Sequence, residues 1–223
     1  MKIAALLQIG RGVTAIIGGG GKTTLMEALA EELSQKGSVI LTTTTHIRRP
    51  AQYETLTDAD EALVSAALSH SRIVCVASQA ESGKLCAPWL SMGTLAQLAD
   101  FVLVEADGAK RLPLKAHASH EPVIPPCAQR VVAVVGIDGV GKPIGAVCHR
   151  SARYTQLALA DEEAVVTPEI AARVLNAEGG FDRVYINKVE SAAAYEAAQA
   201  MAKELSCPVV AGSLHQGVYV CLR

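Results

Sequence analysis

The sequence predicts an α/β fold, a three-layer sandwich in which a mainly parallel sheet of about six or seven strands carries helices on both faces. Three observations lead there. Short apolar runs alternate with segments of helical period along the chain, which is the pattern of successive βα units. Most of these runs read as buried strands that end in glycine or in polar residues. The 223 residues are 50% hydrophobic with a mean hydropathy of +0.28, enough for one full core and too apolar for a disordered chain. No linker or internal repeat divides them, so residues 1–223 are expected to form a single domain.

The first twelve residues, MKIAALLQIGRG, hold an apolar run that is short, follows a single basic residue and lacks a small-residue cleavage site. They read as mature structure leading into the first strand, and the protein is expected to be cytoplasmic. No run has the length of a membrane span. A net charge of −2 and a pI near 6.3 give no basic excess for nucleic acid or an anionic membrane. Six cysteines show no C-x-x-C pair and no zinc spacing, which fits free thiols in a reducing compartment, with Cys75 and Cys221 in strand-like core runs.

The organising stretch is VTAIIGGGGKTTLM, residues 13–26. An apolar strand gives way to Gly18, Gly19, Gly20 and Gly21, then Lys22, Thr23 and Thr24 open a segment with helical spacing at Leu25, Ala28, Leu29 and Leu33. Four residues without Cβ let backbone amides approach a ligand closely, and the helix N-terminus adds its positive end. Lys22 is a point charge for the β- and γ-phosphates of a nucleotide and the Thr23 hydroxyl a ligand for Mg²⁺. The pattern is that of a P-loop nucleotide-binding domain. Its first glycine is replaced by Ile16; the variant GKGGxGK[ST] of signal-recognition, nickel-insertion and Min-type NTPases fits better, with Ile17 where many carry a second lysine.

A second strand, 39–41, runs into four threonines and His46. Strand ends at the carboxyl side of an α/β sheet line the ligand crevice, so Thr43 or Thr44 is a candidate for orienting a water or touching the metal. Helical spacing over 58–69 comes next, with Asp58 a candidate cap, then a strand over 73–77, a hydrophilic turn over 78–84 and a helix near 94–98. Residues 101–111, FVLVEADGAKR, read as a buried strand ending in acids. Alternation puts Glu105 and Asp107 on one side, where either can serve Mg²⁺.

Residues 110–128 hold four prolines and no periodicity, a long loop in which Lys110, Arg111, Lys115, His117 and His120 suggest an anion. The order of His117, His120 and Glu121 matches no zincin motif. Another strand over 130–136 leads to Gly136-Ile-Asp-Gly-Val-Gly141-Lys142, which keeps the G-x-x-x-x-G-K spacing better than the first loop does. It reads as a decoy, because Pro143 sits where a hydroxyl is needed and no amphipathic helix comes directly after it. A catalytic thiol at Cys148 beside His149 lacks any argument for base geometry. A helix-like segment spans 154–160, and Thr167 and Pro168 start the next helix as N-cap and first residue. A strand from Arg183 ends in Asn187, Lys188 and Glu190, similar to the N-K-x-D motif that reads guanine; Glu190 is one methylene longer than the usual aspartate. GTP is favoured slightly over ATP. A helix over 192–205 and strands over 208–211 and 217–222 complete the chain.

The segments GGGGKTT, TTTTHI, VEADGAK and HEPVIP together resemble the YqeC family, over nearly the whole chain. That family consists of accessory proteins for maturing selenium-dependent molybdenum hydroxylases. The resemblance implies a P-loop nucleotide-binding fold and a role in making or inserting a labile selenium cofactor, with a molybdenum hydroxylase or its maturation proteins as partners. It does not supply a reaction. Three readings stay open: a slow NTP hydrolase, a small-molecule kinase whose acceptor sits in the basic 110–128 loop, and a non-catalytic nucleotide-gated chaperone. Assembly into a homo-oligomer is open too.

Overall fold

The computed structural model describes residues 2–80 and 83–223. In chain order its elements are α1 (Ile3–Leu6), β1 (Gly12–Gly18), α2 (Lys22–Ser34), β2 (Val39–Thr43), β3 (His46–Ile47), β4 (Glu54–Thr57), α3 (Glu61–His70), β5 (Ile73–Gln79), β6 (Leu85–Cys86), α4 (Met92–Leu98), β7 (Phe101–Glu105), β8 (Leu114–Lys115) and β9 (Ala128–Gly136). A 3-10 turn (Ile137–Gly139) precedes α5 (Ile144–Val147), β10 (Cys148–His149), α6 (Ser151–Ala158), α7 (Pro168–Glu178), β11 (Arg183–Asn187), α8 (Ala192–Glu204), β12 (Val209–Ser213) and β13 (Val218–Cys221).

The main sheet runs β13-β12-β11-β9-β1-β7-β2-β5-β6-β3, with β4 also beside β5. From β12 to β5, and on to β4, every pairing is parallel; β13, β6 and β3 are antiparallel additions at the edges. The strand with the glycine loop is therefore central, between β9 and β7. A buried parallel strand needs apolar side chains on both faces, and β1 supplies them in alternation. Ile16 packs with Leu25, Leu29 and Leu33 of α2, while Ala15 and Ile17 pack with residues of α6, α7 and α8. Val13 joins a third cluster under α3 and α4. This is the expected sandwich, with helices on both faces.

Several expectations change. The strand β4 has no signal of its own in the sequence, since Glu-Thr-Leu-Thr offers a single buried apolar residue, Leu56, and its place comes from pairing with β5. The cap of α3 is Asp60, whose side chain accepts from the Leu63 amide; Asp58 instead has φ +55° and accepts from the Trp89 indole. Cys221 lies exposed on the edge strand β13, whereas Cys75 is buried as expected, and all six cysteines are unpaired. Of the hydrophilic turn over 78–84, Glu81 and Ser82 fall outside the described residues, as does Met1. Thr167 caps α7 with Pro168 in its first turn, as the sequence indicates. Among the described residues no helix is long and apolar enough to cross a membrane.

Candidate functional site

Parallel pairing brings the carboxyl ends of β1, β7, β2, β9 and β11 to one rim, and register decides which residues meet there. Ile16 of β1 and Thr43 of β2 both stand opposite Glu105 of β7, and Asn187 of β11 stands opposite Gly136 of β9. The glycine loop crosses this rim before α2 begins at Lys22. Gly18, Gly20 and Gly21 have φ of +95°, +77° and +129°, and a Cβ on Gly20 would overlap the Gly136 backbone. Glycine is required at such positions for both conformation and space.

Lys22 is buried. Its Nζ donates to the Gly18 carbonyl at 2.7 Å and lies 3.0 Å from Asp107 Oδ1 and 3.9 Å from Glu105 Oε1. The Thr23 hydroxyl donates to Glu105 Oε2 at 3.0 Å. Burial raises the Glu105 carboxyl above its ordinary range, with Lys22 and Thr23 opposing. A desolvated carboxylate beside a hydroxyl at the end of a strand suits a hard cation that shares its shell with phosphate oxygens. Among the described residues no cluster of three or more His, Cys, Asp or Glu could hold a metal by itself.

Asp107 occupies a different position. It is fully buried, and its Oδ2 accepts from the Gly18 amide at 2.8 Å and meets His117 Nε2 at 2.6 Å and Lys115 Nζ at 3.0 Å. Burial alone would raise its pKa, but His117, Lys22, Lys115 and the Gly18 amide outweigh burial and hold it well below the usual carboxylate range. With Oδ2 so engaged and Oδ1 facing Lys22, Glu105 is the carboxylate next to Thr23. Asp107 instead anchors the start of the glycine loop.

The threonines divide their work. Thr43 donates to the Glu105 carbonyl at 2.8 Å and Thr44 to the Val123 carbonyl at 2.7 Å, so both hydroxyls fix backbone. Thr45 is the threonine that lines the cleft beside the loop. In the stretch that resembles a base-reading motif, Asn187 Nδ2 donates to the Gly20 carbonyl at 2.8 Å, and its Oδ1 accepts from the Leu214 amide at 3.3 Å. Lys188 has φ +65° and pairs with Asp138 at 2.7 Å, while Glu190 accepts from the Ser213 hydroxyl at 2.7 Å. Asn187 thus ties the glycine loop to the loop after β12.

The cleft in front of the loop has a volume of about 840 Å³ and is lined by Gly20, Gly21, Lys22, Thr23 and Thr24 together with a ring of cations. Arg48, Lys84, Lys110, Arg111 and Lys188 contribute, against the carboxylates of Glu105 and Glu121. Lys110 and Arg111 have φ of +47° and +65°, a costly conformation for residues with a Cβ that turns both toward the cleft. Of the other cations of the 110–128 loop, Lys115 and His117 face inward and His120 is exposed. Lys115 is buried on Glu121 at 2.7 Å, on Asp107 and on the Gly108 carbonyl at 2.6 Å. His117 bridges Asp107 and Glu178, with Nδ1 2.8 Å from Glu178 Oε2. Both ring nitrogens thus face carboxylates; burial lowers the His117 pKa, but these hydrogen bonds outweigh burial and raise it above its ordinary value. Glu178 lies at the far end of α7, and nothing local in the sequence announces its part.

Two weaker candidates lose their basis. Burial pushes the Cys148 thiol up to about 12, which leaves no thiolate near neutral pH. The second glycine-lysine stretch forms the 3-10 turn and leaves Lys142 exposed ahead of a four-residue helix.

Known proteins resemble this same part of the chain. The family model described as YqeC protein matches residues 14–152, which take in the glycine loop, Glu105, Asp107, Lys115 and His117. A protein of Escherichia coli (strain K12) named "Uncharacterized protein YqeC" is 32% identical over 182 residues, covering 77% of this chain and 71% of its own length. Matched over this extent by the family model and by the relative, the chain belongs to the YqeC family.

Proposed function

We propose that this chain is a Mg²⁺-dependent nucleoside-triphosphate-binding protein that hydrolyses its nucleotide slowly and acts as an accessory in maturing the cofactor of a selenium-dependent molybdenum hydroxylase. One observation carries the nucleotide reading: the glycine loop opens α2 so that the Thr23 hydroxyl lies 3.0 Å from Glu105 while Lys22 projects along the loop. Loop amides and Lys22 hold the phosphates, and Thr23 with Glu105 holds Mg²⁺. Mg²⁺ held there would supply positive charge against the phosphate oxygens. Lys110 and Arg111 add positive charge to the cleft in front of the loop, and Thr45, which lines it, is better placed than Thr43 or Thr44 to orient a water. Lys188, which lines the cleft, marks the base end, with Asn187 and Glu190 holding the loops behind it, and GTP is favoured slightly over ATP.

The maturation role rests on the family resemblance and comes with a molybdenum hydroxylase, or its maturation proteins, as partner. The basic cleft also suits a kinase, since Lys110 and Arg111 would steady a transferred phosphoryl group as well as a hydrolysed one. Titration with GTP and with ATP, each with and without Mg²⁺, and then a measurement of phosphate release, separates these readings. Mg²⁺-dependent binding with slow basal release is the expected result. Nucleotide consumed only with an added small acceptor, its phosphoryl group recovered on that acceptor and not as free phosphate, makes it a kinase, and no binding of either nucleotide removes the nucleotide reading.

A further inference from the structure

On the far side of the Lys115–Glu121 pair lies a second cleft of about 730 Å³, between the 117–122 segment, the start of α6 and the end of α7. Its volume is that of a metabolite site. Three cations line it, His117, Arg150 and Arg153, against the carboxylates of Glu121 and Glu178. Both carboxylates are already engaged. Glu121 accepts from Lys115 at 2.7 Å and Arg150 at 2.9 Å, and Glu178 takes the ring and the backbone amide of His117.

The cations are not all used. Arg153 pairs with no carboxylate among the described residues and only touches Gln156 at 3.1 Å. Arg150 Nε is buried without a hydrogen-bond partner. Arg150 also stands at φ +61° as the N-cap of α6 with no side-chain cap, so the first-turn amides of Ser151 and Ala152 are without acceptors among the described residues. Arg150, Ala152 and Arg153 line one wall of the cleft, and Arg153 is the arginine there without a carboxylate among the described residues. Ala118, Pro122 and Leu157 give the cleft an apolar part.

We propose that this second cleft is a ligand site for a small organic anion, whose carboxylate or phosphate group lies against Arg150, Arg153 and the first turn of α6 and whose body packs on Pro122 and Leu157. Glu121 lines both this cleft and the phosphate cleft. The site is separate from the glycine loop and stands whether or not the loop binds nucleotide.

Inorganic phosphate and acetate, titrated separately into the ¹⁵N-labelled full chain, test it. The amides of Ser119, Ala152 and Arg153 should shift saturably with at least one of the two anions, and the stronger names the head group. Arg153→Glu, an exposed change that leaves the core alone, should weaken that binding at least tenfold while shifts at Gly19–Thr24 keep their own midpoint. Shifts confined to the glycine loop, or binding at Ser119 and Ala152 that Arg153→Glu leaves unchanged, overturn the proposal. Loss of response at Gly19–Thr24 alone counts against the nucleotide reading and not against this one.

Discussion

Two stretches of this chain spell glycines ahead of a lysine, and the one with the better motif spacing is the one that builds nothing. The loop at 18–22 departs from the pattern at Ile16, yet it sits at the central strand, opens a helix of 13 residues and is clasped by Asp107, Glu105 and Asn187. The loop at 136–142 keeps the spacing, yet it curls into a 3-10 turn, and its Lys142 is exposed. Its glycine serves the other loop: Gly136 packs under Gly20, where any side chain on either would overlap the opposite backbone or its neighbours. The proposed phosphate site therefore rests on the helix that the glycines open and on the groups that hold them from behind, and not on their spacing.

The largest effect expected comes from the ion pairs behind the first loop. Lys115→Met leaves Asp107 and Glu121 short of their buried cation and should cost about 3–5 kcal/mol in chemical denaturation. The matching change at the second loop, Asp138→Ala, breaks only the half-exposed pair with Lys188 and should cost at most about 1 kcal/mol. Equal losses would end the distinction between the loops.

Gly20→Ala should cost about 3 kcal/mol, from a left-handed φ and overlap with Gly136, whereas Gly141→Ala, with open space around its Cβ, should cost about 1 kcal/mol. Thermal melts of the pair sharpen the comparison. Lys22→Ala should weaken Mg²⁺-triphosphate binding by about 1.5–3 kcal/mol, read by calorimetry, and Lys142→Ala should not change it. An equal loss from Lys142→Ala would make the second loop a phosphate site after all.

The smallest effect is in pH. Burial opposes the charge on His117, but its bonds to Asp107 and Glu178 outweigh burial and raise its pKa above 6.5. A raised folded pKa means that the stabilisation is complete below the unfolded value and is lost as pH rises through the folded one, with a slope of at most about 1.4 kcal/mol per pH unit. His117→Gln should flatten that alkaline limb in urea titrations. An unchanged limb would show that His117 does not carry a charge between the two carboxylates.

Much of this was legible before folding. The buried runs at 13–17, 39–41, 101–104 and 183–186 announced parallel strands because continuous apolar residues have no other use in a βα pattern. That an acid at the end of this strand meets Thr23 was implied by a glycine loop and an acid-terminated strand, each recognisable alone, but the choice of Glu105 over Asp107 was not. The strand β4 was not legible, since its four residues gain their conformation from β5. Nor was the division of labour among similar residues. Thr43, Thr44 and Thr45 are identical in sequence terms, and only the register of β2 on β7 sends the first hydroxyl into backbone and leaves the third at the cleft.

Local order and hydrophobic period thus determined the fold class, the glycine loop and the helix it opens, because these depend on residues a few positions apart. Tertiary structure alone decided that Asp107, held by His117 and Lys115, anchors the loop at Gly18, that Glu178 closes that chain of charges and that Arg150 and Arg153 face a second cleft. Those contacts join residues as far as 89 positions apart, and a buried charge takes its partner from whatever the sheet brings within about 3 Å, which no local pattern encodes.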